Sequence, residues 1–89
     1  MKFLLKSTND GVTTAVIDTA CGSNGRKWGL WHKVRVVQYP ESVVYESSRT
    51  KGVTVLEEIE YDSKIKYRTE AAIAKAMAAA NEALQAVAA

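Results

Sequence analysis

The sequence predicts an α+β fold: an antiparallel sheet of four to five strands with one C-terminal alanine-rich helix packed on one face. Three observations predict it. Residues 69–89 contain eleven alanines in twenty-one positions. The chain before them is rich in Val, Thr, Ile and Tyr, in runs broken by glycine and by Pro40. The change from one composition to the other happens once. β-Branched and aromatic residues suit a pleated, half-buried surface, whereas alanine favours a helix at almost no side-chain entropy cost. Eighty-nine residues make a single domain, 1–89.

Residues 2–7 read as a short first strand. Asn9-Asp10-Gly11 follows, and Asp-Gly marks a hairpin turn because both positions tolerate positive φ. Residues 12–19 are β-branched at six of eight positions and form the second strand. Residues 21–29 hold three glycines and two basic residues, as expected of a loop or hairpin tip. Residues 30–39 are the third strand, ended by Pro40, which cannot donate to a ladder. Residues 43–46 are expected as a short strand, 47–52 as a polar turn and 53–61 as the last strand. Residues 62–68 form a charged connector with Ile65 and Tyr67 as anchors.

Thr69 is expected to cap the helix, with Glu70 at its first position near the exposed amides. Ile73, Met77, Ala80, Leu84 and Val87 recur at helical spacing and predict the buried stripe. Lys75, Asn81, Glu82 and Gln85 fall off it and are expected to face water. Alanines beside the stripe allow the helix close approach to the sheet. The opposite sheet face is left to solvent or to a partner.

Composition bounds the function weakly. Net charge is +2, from 12 basic and 10 acidic residues, too small to imply a polyanionic partner by itself. The distribution says more. No acidic residue lies between Asp18 and Glu41, a stretch that carries Arg26, Lys27, Trp28, Trp31, Lys33, Arg35 and Tyr39. Alternation puts Trp31, Lys33, Arg35, Val37 and Tyr39 on one face, and His32, Val34, Val36 and Gln38 on the face beneath the helix. Arg26, Lys27, Trp28, Trp31, Lys33 and Arg35 are therefore the candidate partner-binding residues. A competing reading pairs Lys33 and Arg35 across the sheet with Glu58 and Glu60, at about 0.2–1 kcal/mol per pair.

No catalytic constellation is expected. His32 is the single histidine and reads as a packed, hydrogen-bonded strand residue. Cys21, the single cysteine, cannot form an internal disulfide and lacks an oriented base nearby in sequence. The acids of residues 57–62 alternate between faces, unlike an acid–base pair. No pair of cysteines or histidines has metal-ligand spacing. The expectation is no enzyme, no cofactor and no metal. Phe3-Leu4-Leu5 is far shorter than the ~7–15 apolar residues of a signal peptide, and no membrane partner is expected; a cytoplasmic protein is.

Three likenesses bear on function. Gly22-Ser23-Asn24-Gly25-Arg26 has the G-x-x-G form of a KH-domain loop, but that loop joins two helices and a strand-like run precedes it here. Residues 74–84 are similar to the last helix of double-stranded RNA-binding domains. Those domains carry a lysine cluster where this chain has Tyr67-Arg68-Thr69-Glu70, and a helix where residues 1–19 read as strands. In size, and in a helix rich in Ala, Lys and Met over residues 71–80, the chain resembles small bacteriophage accessory proteins, including anti-CRISPR proteins. That resemblance implies an inhibitor occupying a working surface of a host protein or ribonucleoprotein complex, in the host cytoplasm. It carries over no individual residue. Nucleic-acid binding by the basic aromatic face is the alternative, and a second copy of the chain is a further partner for an open sheet edge.

Overall fold

The computed structural model describes residues 1–21, 30–47 and 49–88, with side chains through Ala86. Four strands form one antiparallel meander in chain order: β1 (Lys2–Asn9), β2 (Val12–Cys21), β3 (Trp31–Pro40) and β4 (Thr54–Asp62). One helix, α1 (Lys66–Ala88), follows. The α+β architecture read from the sequence is the one observed.

The β1–β2 turn has the geometry its residues favour. Asp10 and Gly11 both take positive φ, 54° and 77°, the mirror-image turn whose twist matches the flanking strands. Beside it, the Thr8 and Thr13 hydroxyls hydrogen-bond at 2.8 Å.

Residues 43–46 are not a strand. Pro40 turns the chain, with the Val43 amide donating to the Pro40 carbonyl at 2.9 Å. The Thr50 hydroxyl then accepts from the amides of Glu46 and Ser47, so these groups are satisfied locally and not by a ladder. Gly52, at φ 88°, returns the chain to β4. The alternating Val43 and Tyr45 that imitate a strand are instead plugs. Tyr45 is buried with Ala15, Ile17, Val37 and Tyr39, and Val43 and Val53 pack beside it. This corrects the expectation of a wholly uncovered second face: its end nearest the β1–β2 turn is covered by Val43, Tyr45 and Val53.

The first face carries the larger core, with Val16, Val34, Val36 and Tyr61 against Ala72, Ala76 and Ala80. The helix contacts the sheet through its alanines; Ala76 and Ala80 are fully buried, while Ile73, Met77 and Leu84 flank them half-buried. Of the expected stripe, Ala80 is in the buried row, Ile73, Met77 and Leu84 flank it, and the Val87 side chain lies outside the described residues; Ala72 and Ala76 complete the row because methyl side chains let the helix backbone lie on strands that already carry valine. Lys75, Asn81, Glu82 and Gln85 are exposed, as expected.

The helix begins three residues before Thr69. Asp62 makes the corner: its carboxylate accepts the Lys64 amide at 3.0 Å and its carbonyl accepts the Ile65 amide at 3.1 Å, an Asx-turn that leads into Lys66. Thr69 lies inside the first turns, where its hydroxyl donates back to the Ile65 carbonyl at 3.2 Å. Glu70 is thus the fifth helical residue. Tyr67 is 68% exposed and anchors nothing, whereas Ile65 is half-buried.

Candidate functional site

Strand register determines what the basic middle of the sequence becomes. β3 pairs with β4 so that Trp31 faces Asp62, Lys33 faces Glu60 and Arg35 faces Glu58. The stretch without acids is therefore laid against the most acidic strand of the chain. The Arg35 Nε–H donates to Glu58 Oε2 at 2.8 Å, and Lys33 Nζ lies 3.7 Å from Glu58 Oε1. The Arg35 hydrogen bond, aided by the charges of Arg35 and Lys33, holds the Glu58 carboxyl below the ordinary range against the opposing effect of burial. Arg35 retains only 15% of its side-chain exposure, Lys33 34% and Glu58 42%. Arg35 is thus committed within the chain, while Lys33 and Glu58 keep more of their exposure.

The alternation expected along the last strand holds only as far as Glu57. A bulge at Leu56 shifts the register, so that Val36 faces Glu57 but Val37 faces Val55. Leu56 is left without a register partner on β3. Val55 and Leu56 are both exposed on this outer strand.

Of the six candidate residues, Lys33 and Arg35 are brought together on Glu58, while Trp31 stands opposite Asp62 at the start of β3 and lines a cleft beside α1. Arg26, Lys27 and Trp28 lie outside the described residues. So does the G-x-x-G run of residues 22–25.

His32 occupies the helix-side face, as read from the sequence. Its Nδ1 lies 3.1 Å from Asp18 Oδ1, and its ring stacks on Tyr61 with centroids 5.4 Å apart. The Tyr61 hydroxyl donates to the other Asp18 oxygen at 2.7 Å. Burial first, and then the hydrogen bond and charge of Asp18, push the Tyr61 phenol far above its ordinary value. Asp18 thereby ties β2, β3 and β4 together with one carboxylate. Sequence reading missed this role of Asp18. Its signal was the position itself: an acid in phase with Thr14 and Val16 on the face turned toward the helix.

Cys21 is a half-buried free thiol at the end of β2. Among the described residues, no group of three or more His, Cys, Asp or Glu side chains is arranged to hold a metal ion. Among the described residues, no helix is long and apolar enough to cross a membrane.

No protein-family model, curated protein or solved structure matches this chain.

Proposed function

We propose that this chain is a non-enzymatic binding protein that docks on a partner protein complex and modulates it. The docking surface is the part of the sheet face around Trp31, Lys33, Glu58 and Glu60, continued by Arg26, Lys27 and Trp28 in sequence. The observation that carries the reading is the unequal covering of that face. Tyr45 and its neighbours seal one end, while Lys33 and Glu58 keep substantial exposure at the other. Aromatic residues at the centre of a polar rim are the composition of a protein interface.

Charge favours a protein over a nucleic acid. Lys33 and Arg35 are countered on the same face by Glu58 and Glu60, and such a balanced ladder complements mixed charge better than a phosphate backbone. The phage-protein resemblance supports a host complex as the target class.

The test is capture of the target from host lysate by wild-type chain and by a Trp31→Ala, Lys33→Glu variant that keeps its thermal transition. The expected result is nuclease-resistant capture by the wild type and its loss in the variant. Binding that weakens with salt at a log–log slope near −0.9 per contacted phosphate would assign the surface to duplex DNA and overturn the protein reading.

A further inference from the structure

β4 is an outer strand, and among the described residues it ladders with β3 alone. The bulge at Leu56 interrupts that ladder, but over residues 57–62 the register runs without a break. Directly opposed residues share a sheet face. Glu57 therefore lies on the helix side with Val36, and Ile59 and Tyr61 belong to the helix-side core. Glu58, Glu60 and Asp62 take the other face, opposite Arg35, Lys33 and Trp31. Along such a regular edge, alternate residues direct their main-chain groups away from the sheet, and a further antiparallel strand can bond to them.

A cleft of about 280 Å³ opens beside this stretch, between β4 and the first half of α1. Its inner walls are Ile59 and Tyr61 on the strand and Ala71 and Ala72 on the helix. Its rim carries charges of both signs, Arg68 and Lys75 from the helix and Glu60 and Asp62 from the strand, so it selects no charged side chain. The volume falls just below the ~300–1,000 Å³ of small-molecule sites and leaves room for one apolar side chain. On a strand added to β4, the residue opposite Ile59 points to the helix side and enters this space. Its immediate neighbours point to the other face.

β4 itself carries four carboxylates and no cation. Both cations of β3, Lys33 and Arg35, engage Glu58. Glu57 and Asp62 make no ion pair among the described residues, and Asp62 gives only its Oδ1 to the Lys64 amide. Like charges facing across a ladder repel, so these acids reject a second β4 and suit a basic strand. Glu57 and Asp62 lie on opposite faces, with Ile59 between them. An antiparallel strand meets all three in the order basic, two residues, apolar, one residue, basic. Alternation then puts its first cation on the face of Asp62, and its apolar residue and second cation on the helix side. In β1 of a second copy, Lys2 and Lys6 share one parity, so they cannot reach opposite faces of a regular strand.

We infer that the edge of β4 at residues 57–62 receives an extended basic–x–x–apolar–x–basic segment of a partner protein as a fifth, antiparallel strand. Main-chain hydrogen bonds to β4 hold the segment. Its apolar side chain fills the cleft beside Ala71 and Ala72, and its two cations meet Asp62 and Glu57. The inference does not rest on the docking face proposed above, because its bonds run along the strand edge.

The experiment is a ¹H–¹⁵N shift titration of the full chain, at moderate salt, with the blocked peptide Arg-Thr-Thr-Leu-Thr-Arg. Saturable shifts are expected at residues 57–62 and at Ala71 and Ala72. Two further peptides carry backbone N-methyl groups on the odd or on the even residues. One set of amides faces β4, and methylating it is expected to abolish binding; methylating the other is expected to spare it. Gln-Thr-Thr-Leu-Thr-Gln is expected to bind about two- to thirtyfold more weakly, the range of two exposed charge pairs. That difference is expected to vanish in Glu57→Gln, Asp62→Asn, where the new side-chain amide can still accept the Lys64 amide at the corner. Replacing the peptide's Leu by Thr is expected to weaken binding to the wild type. It should make no difference in Ala71→Leu, which fills the cleft from an exposed position and so keeps the fold, as spectral dispersion checks. Absence of shifts at residues 57–62, equal binding of the two N-methylated peptides, or equal binding of the Arg and Gln peptides to the wild type overturns the inference. Shifts at the same residues that grow with protein concentration in the absence of peptide assign the edge to a second copy and also overturn it.

Discussion

Asp18 is a single carboxylate serving two donors from two neighbouring strands, and its neighbourhood makes sharp demands. The Tyr61 hydroxyl, 2.7 Å away, is a hydrogen bond to a charged acceptor in a mostly desolvated place. Tyr61→Phe is therefore expected to cost about 1.5–3 kcal/mol, measured by urea unfolding. The phenol's ionisation is displaced upward in the folded state. Its contribution is then fully present below the unfolded tyrosine value of 10.0 and is lost as pH rises above it. Wild type is expected to lose stability in alkali more steeply than Tyr61→Phe. Glu58 shows the opposite sign. Its folded value is depressed, so the contribution of the Arg35 pair is present above 4.5 and disappears as pH falls through the folded value. Arg35→Ala should destabilise at neutral pH, and the gap from wild type should narrow in acid. Tyr45 is the contrary case. Its ring is buried against Tyr39 and Phe3, yet its hydroxyl has no hydrogen-bond partner among the described residues. Tyr45→Phe is expected to leave stability unchanged or raise it by up to ~1 kcal/mol. A loss greater than that would mean the hydroxyl is satisfied in solution.

At the scale of elements, the helix works by being thin. Ala72, Ala76 and Ala80 lie one turn apart and press on Val16, Val34 and Val36. Ala76→Leu inserts volume where there is none and should cost about 1–3 kcal/mol, seen as a lower urea midpoint. Ala78, on the exposed side, should accept Leu with little change. This arrangement was half legible in the sequence. The alanine tract announced a helix, and apolar periodicity placed Ala80 correctly but chose Ile73 and Met77, the larger apolar residues, over Ala72 and Ala76 for the rest of the buried row. Burial went to the smaller ones because the sheet beneath already supplies the bulk. The strands and the Asp10-Gly11 turn were legible because composition and turn chemistry agree locally there. The bulge at Leu56 was not, since nothing in a period of two announces the residue that breaks it. The false fifth strand arose from a true signal: Val43 and Tyr45 do alternate inward, but from a loop. The helix start was misplaced because Thr69 and Asp62 both bear capping oxygens, and the turn at Asp62 acts first. At the candidate site, the shared face of Lys33 and Arg35 was legible from alternation. Its neutralisation depended on cross-strand register, which the sequence leaves open.

At the scale of the whole molecule, the meander leaves β1 and β4 as outer strands, each with an irregularity, between Phe3 and Leu5 in β1 and at Leu56 in β4. Bulges and charges are how sheets discourage pairing along such edges. Their charges differ in sign. β1 carries Lys2 and Lys6; β4 carries Glu57, Glu58, Glu60 and Asp62. A two-fold dimer formed edge to edge sets β1 against β1 or β4 against β4, and like charges facing each other across a ladder are destabilising. Pairing β1 of one copy with β4 of the next is charge-complementary, and it preserves the antiparallel order of the meander. That contact is heterologous, so unless its rotation happens to close a ring it builds open chains and not dimers. Sedimentation at moderate salt is therefore expected to show a monomer. Any association that appears at low salt should be polydisperse and should dissolve as salt screens the Lys–Glu attraction. A discrete, salt-insensitive dimer at micromolar concentration would contradict this account, because it would need a contact dominated by apolar surface. Phe3, whose ring packs edge-on against Tyr45, and Val44, beside Tyr45 in the chain, are both exposed and would then be the first positions to substitute.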